Sequence, residues 1–326
     1  MMTTPQKTID WLLAGPSWVQ YRTKLDLLGM DDNDTDVQKA RNAMLLDSTI
    51  LELIENCSSW EQVVLKRHND AIHPLHQLSF LAEIGLTHSD PGMESLISRI
   101  TAHHSAEGPF QVFTNIPVNF GGKGQDEWSW MLCDAPLLLY CLARFGLNQE
   151  VQIKKALQTL LNLGRSNGWP CAVSPALGKF HGPGRRDDPC PYANLLMLKL
   201  LALLPETHLL PAVQDGVECI LHLWEHSREK WPYLFHAGSD FRKLKLPLVW
   251  YDILHVATVL SYYPSVRNDI RLREMVDTIC EKADVNGQYT PESVWIKWKG
   301  WEFAQKKAPS RWLTLMVLTL QKRMAE

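Results

Sequence analysis

Residues 168–204 hold the densest group of chemistry-bearing side chains in the sequence: GWPCAVSPALGKFHGPGRRDDPCPYANLLMLKLLALL. The first two thirds of this stretch is rich in Gly and Pro and contains Cys171, His181, Arg185, Arg186, Asp187, Asp188 and Cys190. Thiolate, imidazole and carboxylate are zinc ligands, and arginine forks match phosphate oxygens. From Tyr192 onward the run is almost unbroken Leu, Met and Ala. That pattern predicts a helix buried on all sides, too short at about 1.5 Å per residue to cross a bilayer. Pro189 and Pro191 suit a helix start, where a missing N–H costs nothing. A metal-capable and anion-capable loop therefore feeds a helix N-terminus, whose free N–H groups and partial positive charge favour anions and thiolates.

Other positions carry similar possibilities. Asp134 heads the apolar run CDAPLLLY, as a general acid raised by burial or as an N-cap. Asp252 and His255 lie in VWYDILHVATVLS, and Arg242, Lys243 and Lys245 in FRKLKLP. Together with Arg185 and Arg186 these bases could grip an anionic group or form ion pairs with Asp187, Asp188 or Asp240, the latter worth little at a surface. Tyr140, Tyr192, Tyr251, Trp128 and Trp130 could line an apolar cavity and shield a carbocation with their ring faces, or pack as ordinary core. The same choice applies to Trp231 and the other loop tryptophans. The acidic run 31–36 reads as a loop and helix cap.

The bulk numbers are those of an ordinary globular chain: 326 residues, 45% hydrophobic, 21% charged, net charge −3. Nothing in that balance suggests nucleic acid or a membrane surface. The start, MMTTPQKTIDWLL, lacks a charged head before a long apolar run, so no signal peptide is expected. Seven scattered cysteines fit a reduced, cytoplasmic chain, with Cys57, Cys133, Cys141, Cys219 and Cys280 reading as buried free thiols.

The periodicity is helical nearly throughout. Helices are expected at 8–14, 18–28, after the acidic run to about 54, at 60–67, 71–86, 93–104, 128–147, 151–163, 192–204 and 212–226, in VWYDILHVATVLSYY, and at 269–282 and 312–323. Very apolar helices alternate with more polar ones, and the heads of the apolar ones recur 55–62 residues apart, giving about six units with long loops on one side. Six such hairpins can close into an inner ring of helices inside an outer ring. An open superhelix needs a wet concave face, whereas these inner helices are apolar all round. The expectation is all-α: a single α/α toroid over residues 1–326, with the loops at one mouth.

With these features the sequence resembles the α/α-toroid superfamily of terpenoid cyclases and protein prenyltransferase β-subunits, as a prokaryotic-type single-toroid member. In the prenyltransferase branch a basic loop leads to an Asp-x-Cys-Tyr helix head, and a later inner helix carries a histidine after aromatic residues. Here RRDDPCPY gives Asp188-x-Cys190 with Tyr192 one place late, and Trp250 and Tyr251 precede Asp252 and His255. The resemblance implies zinc at the Asp188, Cys190 and His255 positions. Strict alignment puts Asp252 at the histidine position, and Cys171 stands as substitute or fourth ligand. It also implies that Arg185 and Arg186 bind an isoprenoid diphosphate. No DxDD motif of polyene-protonating cyclases is present, nor a run of QW motifs, so the transferase branch is the nearer one.

The resemblance thus implies a zinc-dependent enzyme acting on an isoprenoid-type hydrophobic substrate, as a homo-oligomer or with a second subunit. Asp134, Tyr192 and Asp252 are the candidate catalytic residues, and Arg185, Arg186, Arg242 and Lys243 the anion-binding ones. The same residues fit a capping aspartate, a buried thiol and a core histidine. That alternative leaves a toroid that binds lipid or peptide without catalysis, or one that runs unrelated chemistry.

Overall fold

The structure is a computed structural model that describes residues 6–178, 180, 182, 184–229 and 235–326. His181 and Trp231 lie outside the described residues. The chain is mostly helical. In order come α1 (Gln6–Leu13), α2 (Ser17–Arg22, continued as a wider turn over Thr23–Leu27), α3 (Thr35–Leu45), α4 (Ser48–Cys57), α5 (Pro74–Ile84) and α6 (Met93–Thr101). Then follow α7 (Ala135–Leu142, continued over Ala143–Leu147), α8 (Val151–Leu161), α9 (Pro191–Leu201), α10 (Pro211–Glu225), α11 (Ile253–Leu260), α12 (Ile270–Cys280) and α13 (Arg311–Ala325). Among the described residues no helix is long and apolar enough to cross a membrane.

Buried and amphipathic helices alternate from α5 onward. Every residue of α7, α9 and α11 is buried, as is nearly all of α5. In α6, α8, α10 and α12 the buried residues form one stripe only, for example Ile153, Ala156 and Leu160 of α8. Each buried Leu contributes about 1.5–3 kcal/mol of transfer free energy, so α7 and α9 can form only where both faces are covered.

Two compact units result, one of residues up to 53 with 238–326, the other of residues 54–237. In the 54–237 unit α7 packs against α5, α9 and α8, and α10 packs on α9. Gly85, at φ 99°, ends α5 in a left-handed cap that disfavours any side chain. In the other unit α11 packs with α12 and α13, while α13 also meets α1 and α2. There the carboxylate of Glu302 accepts N–H groups of Arg311 and Trp312 at 2.9 and 2.8 Å. This half-buried acid thereby satisfies donors that the start of α13 leaves over.

Three sequence expectations change. Residues 60–67 are not helical but run as turns, with Leu65 bridged to Thr114. Trp60 and Leu65 are buried without helical spacing, so burial alone mimicked a helical pattern there. A short hairpin, β1 (Val112–Thr114) with β2 (Glu127–Ser129), pairs Phe113 with Trp128. Consequently the helix expected from residue 128 begins at Ala135.

Candidate active site

The N-cap positions of the three buried helices of the 54–237 unit are His73 for α5, Asp134 for α7 and Cys190 for α9. Backbone pairing brings two of them together. Leu132 N–H donates to Ala172 C=O at 2.9 Å, Ser174 N–H to Trp130 C=O at 2.7 Å, and Cys190 N–H to Trp169 C=O at 2.8 Å. Residues 130–134, 169–174 and 189–190 therefore lie as neighbouring ribbons. Asn194, fully buried, locks the last two: its Oδ1 accepts Trp169 N–H, and its Nδ2 donates to the carbonyls of Trp169 and Cys190 at 2.9 and 2.8 Å. Gly168, at φ 100°, passes so close that a Cβ there would meet Asn194 Oδ1 at 2.5 Å.

This ribbon arrangement sets Cys133 Sγ 3.8 Å from Cys190 Sγ. The two thiols divide in character. The Cys133 S–H hydrogen bond holds the Cys190 pKa down against the effect of burial; the N–H groups of Ala193 and Tyr192 and the charge of His68 assist. Cys133 is correspondingly pushed up by the same contact and by burial. Burial likewise pushes Cys171 up to about 12, while its sulfur accepts Gly182 N–H at 2.9 Å.

Beside the thiols stands an imidazole–carboxylate pair. Nδ1 of His68 meets Oδ1 of Asp134 at 2.7 Å, with the histidine side chain 23% exposed and the aspartate 1%. Burial works to lower the His68 pKa, but the charge and hydrogen bond of Asp134 outweigh it and the net shift is upward. His76 Nε2 lies 2.7 Å from His68 C=O and donates to it, positioning that residue. Burial drops the His76 pKa to about 3, so this ring is neutral and cannot compete for Asp134 as a cation. Although Asp134 occupies the N-cap position, its side chain makes no cap hydrogen bond. Its Oδ2 is buried without a partner among the described residues.

The remaining sequence candidates fall elsewhere. Tyr192 is fully buried in the first turn of α9. Asp188 Oδ2 accepts Arg185 N–H at 2.7 Å. Arg185 and Arg186 are exposed, and among the described residues neither guanidinium is ion-paired; the Arg186 carbonyl accepts from Arg165. A cleft of about 440 Å³ is lined by Asp188, Pro189, Pro191, Asp215, Glu218 and His222, among others.

Asp252 and His255 belong to the other unit. Asp252 caps α11, its Oδ1 accepting His255 N–H at 3.0 Å. Burial raises its pKa to about 7, opposed by that N–H and by Lys245. His255 Nδ1 lies 2.9 Å from Trp250 C=O. The Lys245 ammonium sits 3.4 Å above the Trp295 ring. Lys243 pairs with Asp240 at 3.0 Å on the surface, and the Arg242 carbonyl accepts from Lys282.

His68 and Cys133 are the residues that sequence reasoning missed. Cys133-Asp134 heads α7 as Cys190 heads α9, so comparing repeats in register was the available signal for Cys133. His68 carried none, since it sits in a loop six residues before α5.

No known protein-family profile matches the chain, and no curated protein matches it. Among solved structures, a protein from Actinoplanes is 15% identical with a TM-score of 0.44, covering 95% of this chain and 90% of that one. The type II terpene cyclase MstE from Scytonema is 12% identical with a TM-score of 0.45, covering 95% and 88%. Both are distant likenesses.

Proposed function

We propose that the chain is an α/α-toroid enzyme acting on a hydrophobic, isoprenoid-type substrate, with its reacting centre at the heads of α7 and α9. The observation that carries the enzymatic reading is the Cys133–Cys190 thiol pair at 3.8 Å beside the buried Asp134–His68 pair. The toroid rests on the alternation of buried and amphipathic helices, and the substrate class on the resemblance at Asp188-x-Cys190. Cys190 is the group stabilised as thiolate. Asp134 fixes the imidazole with a proton on Nδ1, which leaves Nε2 as a base or ligand. Arg185 and Arg186, exposed in the loop before α9, supply positive charge for a diphosphate.

Zinc fits part of this donor set. With Zn–S near 2.3 Å, two thiolates on one tetrahedral ion stand about 3.8 Å apart, which is the separation of these sulfurs. Cys133 thus joins Cys190 in the ligand set, with His68 or Cys171 turning in as the third ligand. The bound ion would supply Lewis acidity and hold a thiolate at neutral pH. A second reading, in which the Cys190 thiolate forms a C–S bond as the substrate's C–O bond to diphosphate breaks, and a second nucleophile then displaces the thiolate, is favoured by the His68 charge that assists its ionisation.

The test is elemental analysis of protein purified without added metal, alongside Cys133→Ser and Cys190→Ser, with release of diphosphate measured on isoprenoid diphosphates of several lengths. One equivalent of bound zinc lost in either variant, with turnover lost too, supports the zinc enzyme. Turnover without metal that needs Cys190 supports the thiolate nucleophile. Absence of turnover on every such substrate overturns the isoprenoid reading.

A further inference from the structure

The C-terminal end of α10 carries His222 and Glu225, and the residue that caps it is His226, giving the order His-x-x-Glu-His. Residues three and four apart on a helix are neighbours. Here one ligand atom from each of the three lies within 4.8 Å of the others, and this is the sole such group of His, Cys, Asp or Glu among the described residues. The two imidazole rings stand 4.2 Å apart centre to centre. His222 Nδ1 lies 3.9 Å from Glu225 Oε2. His226 Nδ1 meets Glu229 Oε1 at 2.8 Å, the outer carboxylate contact that orients metal-binding imidazoles.

We propose that His222, Glu225 and His226 form a site for a divalent transition metal of the zinc class, distinct from the thiol centre at Cys133 and Cys190. Two imidazoles and one carboxylate select zinc-like ions over calcium or magnesium, which take oxygen ligands. Ligand atoms on a tetrahedral zinc at 2.0–2.1 Å stand about 3.4 Å apart, so modest rotation about exposed side-chain bonds closes the group on the ion. With side chains 46%, 55% and 33% exposed, those rotations meet no core. The two histidines of the order His-x-x-Glu-His are a zinc-binding pair, and Glu225 adds a third donor within the same reach.

The position of the site gives the metal something to act on. His222 also lines the 440 Å³ cleft, with Asp188, Asp215 and Glu218 around it. Three protein ligands leave one tetrahedral position open, and His222 belongs both to the ligand group and to the wall of the cleft. A metal there offsets the negative charge of the three carboxylates and adds a Lewis-acidic point for a polar or anionic group of a bound ligand.

The experiment uses the full chain with Cys133→Ser and Cys190→Ser, stripped of metal, titrated separately with Zn²⁺ and Co²⁺. The expected result is one bound ion whose cobalt spectrum lacks the sulfur-to-metal charge-transfer band. His222→Ala and His226→Ala in that background each weaken Kd by about tenfold or more. Imidazole NMR signals of the unmutated helix, followed during zinc addition, read the same site without relying on the histidine variants. Unchanged Kd in both histidine variants, or no shift of the His222 and His226 signals, overturns the proposal. Retained binding in the double-serine chain separates this site from the thiol centre, because loss of zinc from the cysteines leaves it untouched.

Discussion

Cys133 and Cys190, 57 positions apart in sequence, bring their sulfurs to 3.8 Å at the heads of two adjacent buried helices. Of the two close thiols Cys190 is the one whose pKa is held down, since the Cys133 S–H and the N–H groups of its own helix start face it. In metal-stripped protein Cys190 is therefore expected to alkylate first with a small reagent at pH 7.5, ahead of Cys171 and Cys219, both pushed up to about 12 by burial. Cys133→Ala removes the donor and should slow that labelling, whereas Cys133→Ser, which keeps an O–H, should slow it less. Peptide mass spectrometry of the labelled sites decides it; labelling that reaches another thiol first contradicts the assignment.

Asp134→Asn tests the imidazole partner. The His68 pKa is raised in the fold, so the stability this adds is fully present below the unfolded histidine value of about 6.5 and lost as pH rises through the folded value. The stability gap between wild type and Asp134→Asn should be widest near pH 6 and narrow toward pH 8.5. Urea midpoints at the two pH values measure it. A gap that widens with pH means that the charged imidazole is not held by Asp134.

Asp252 also loses stability as pH rises, but there the gap to the variant opens with pH. Its carboxyl is raised to about 7 by burial, above the unfolded value of about 3.9. The folded state then holds the proton more tightly, so the wild type loses stability as pH climbs from about 4 to about 7 and levels off beyond. Asn keeps the Oδ1 acceptor for His255 N–H and carries no charge to bury. Asp252→Asn should be the more stable protein at pH 8, by an amount on the order of a few kcal/mol, with little difference at pH 4. Guanidinium melts across that range give the result, and a constant offset would rule out a buried titrating carboxyl.

The sequence made α7, α9 and α11 legible because runs such as APLLLYCL leave no wet face. The start of α9 was legible through Pro191, whereas that of α7 was expected at residue 128 and lies at Ala135. The residues 60–67 were not legible, since Leu65 pairs with Thr114 of a hairpin whose strands are three residues each, too short to show alternation. At the site, Asp134 and Cys190 could be read as heads of successive helices. Their neighbours could not: His68 reaches Asp134 across 66 positions, and Cys133 meets Cys190 through pairing of residues 130–134 with 170–174. Such long-range pairing leaves no local spacing. Asp188, two positions from Cys190, turns instead to the backbone N–H of Arg185, which the linear motif did not reveal.

The depth of the helix bundle beneath those heads is fixed by a buried ion pair. Lys199 of α9 reaches Glu83 of α5 at 2.6 Å, with side chains only 7% and 9% exposed, and its ammonium lies 4.8 Å from the Tyr140 ring centre of α7. Three helices thus converge on one cation. Burial acts to lower the Lys199 pKa, but the Glu83 charge prevails and holds it above the ordinary lysine value. Lys199→Met leaves the Glu83 carboxylate buried without its cation, a change that costs about 3–5 kcal/mol. Adding Glu83→Gln removes the stranded charge and should recover most of that loss, because a pair of neutral groups no longer needs compensation. A thermodynamic cycle of the two single variants and the double variant, read by chemical denaturation, isolates the coupling. If the double variant is as unstable as the sum of the singles, the pair is not what sets α9 against α5. Recovery accompanied by altered alkylation of Cys190 would show that the same pair also sets the height of the thiol at the far end of α9.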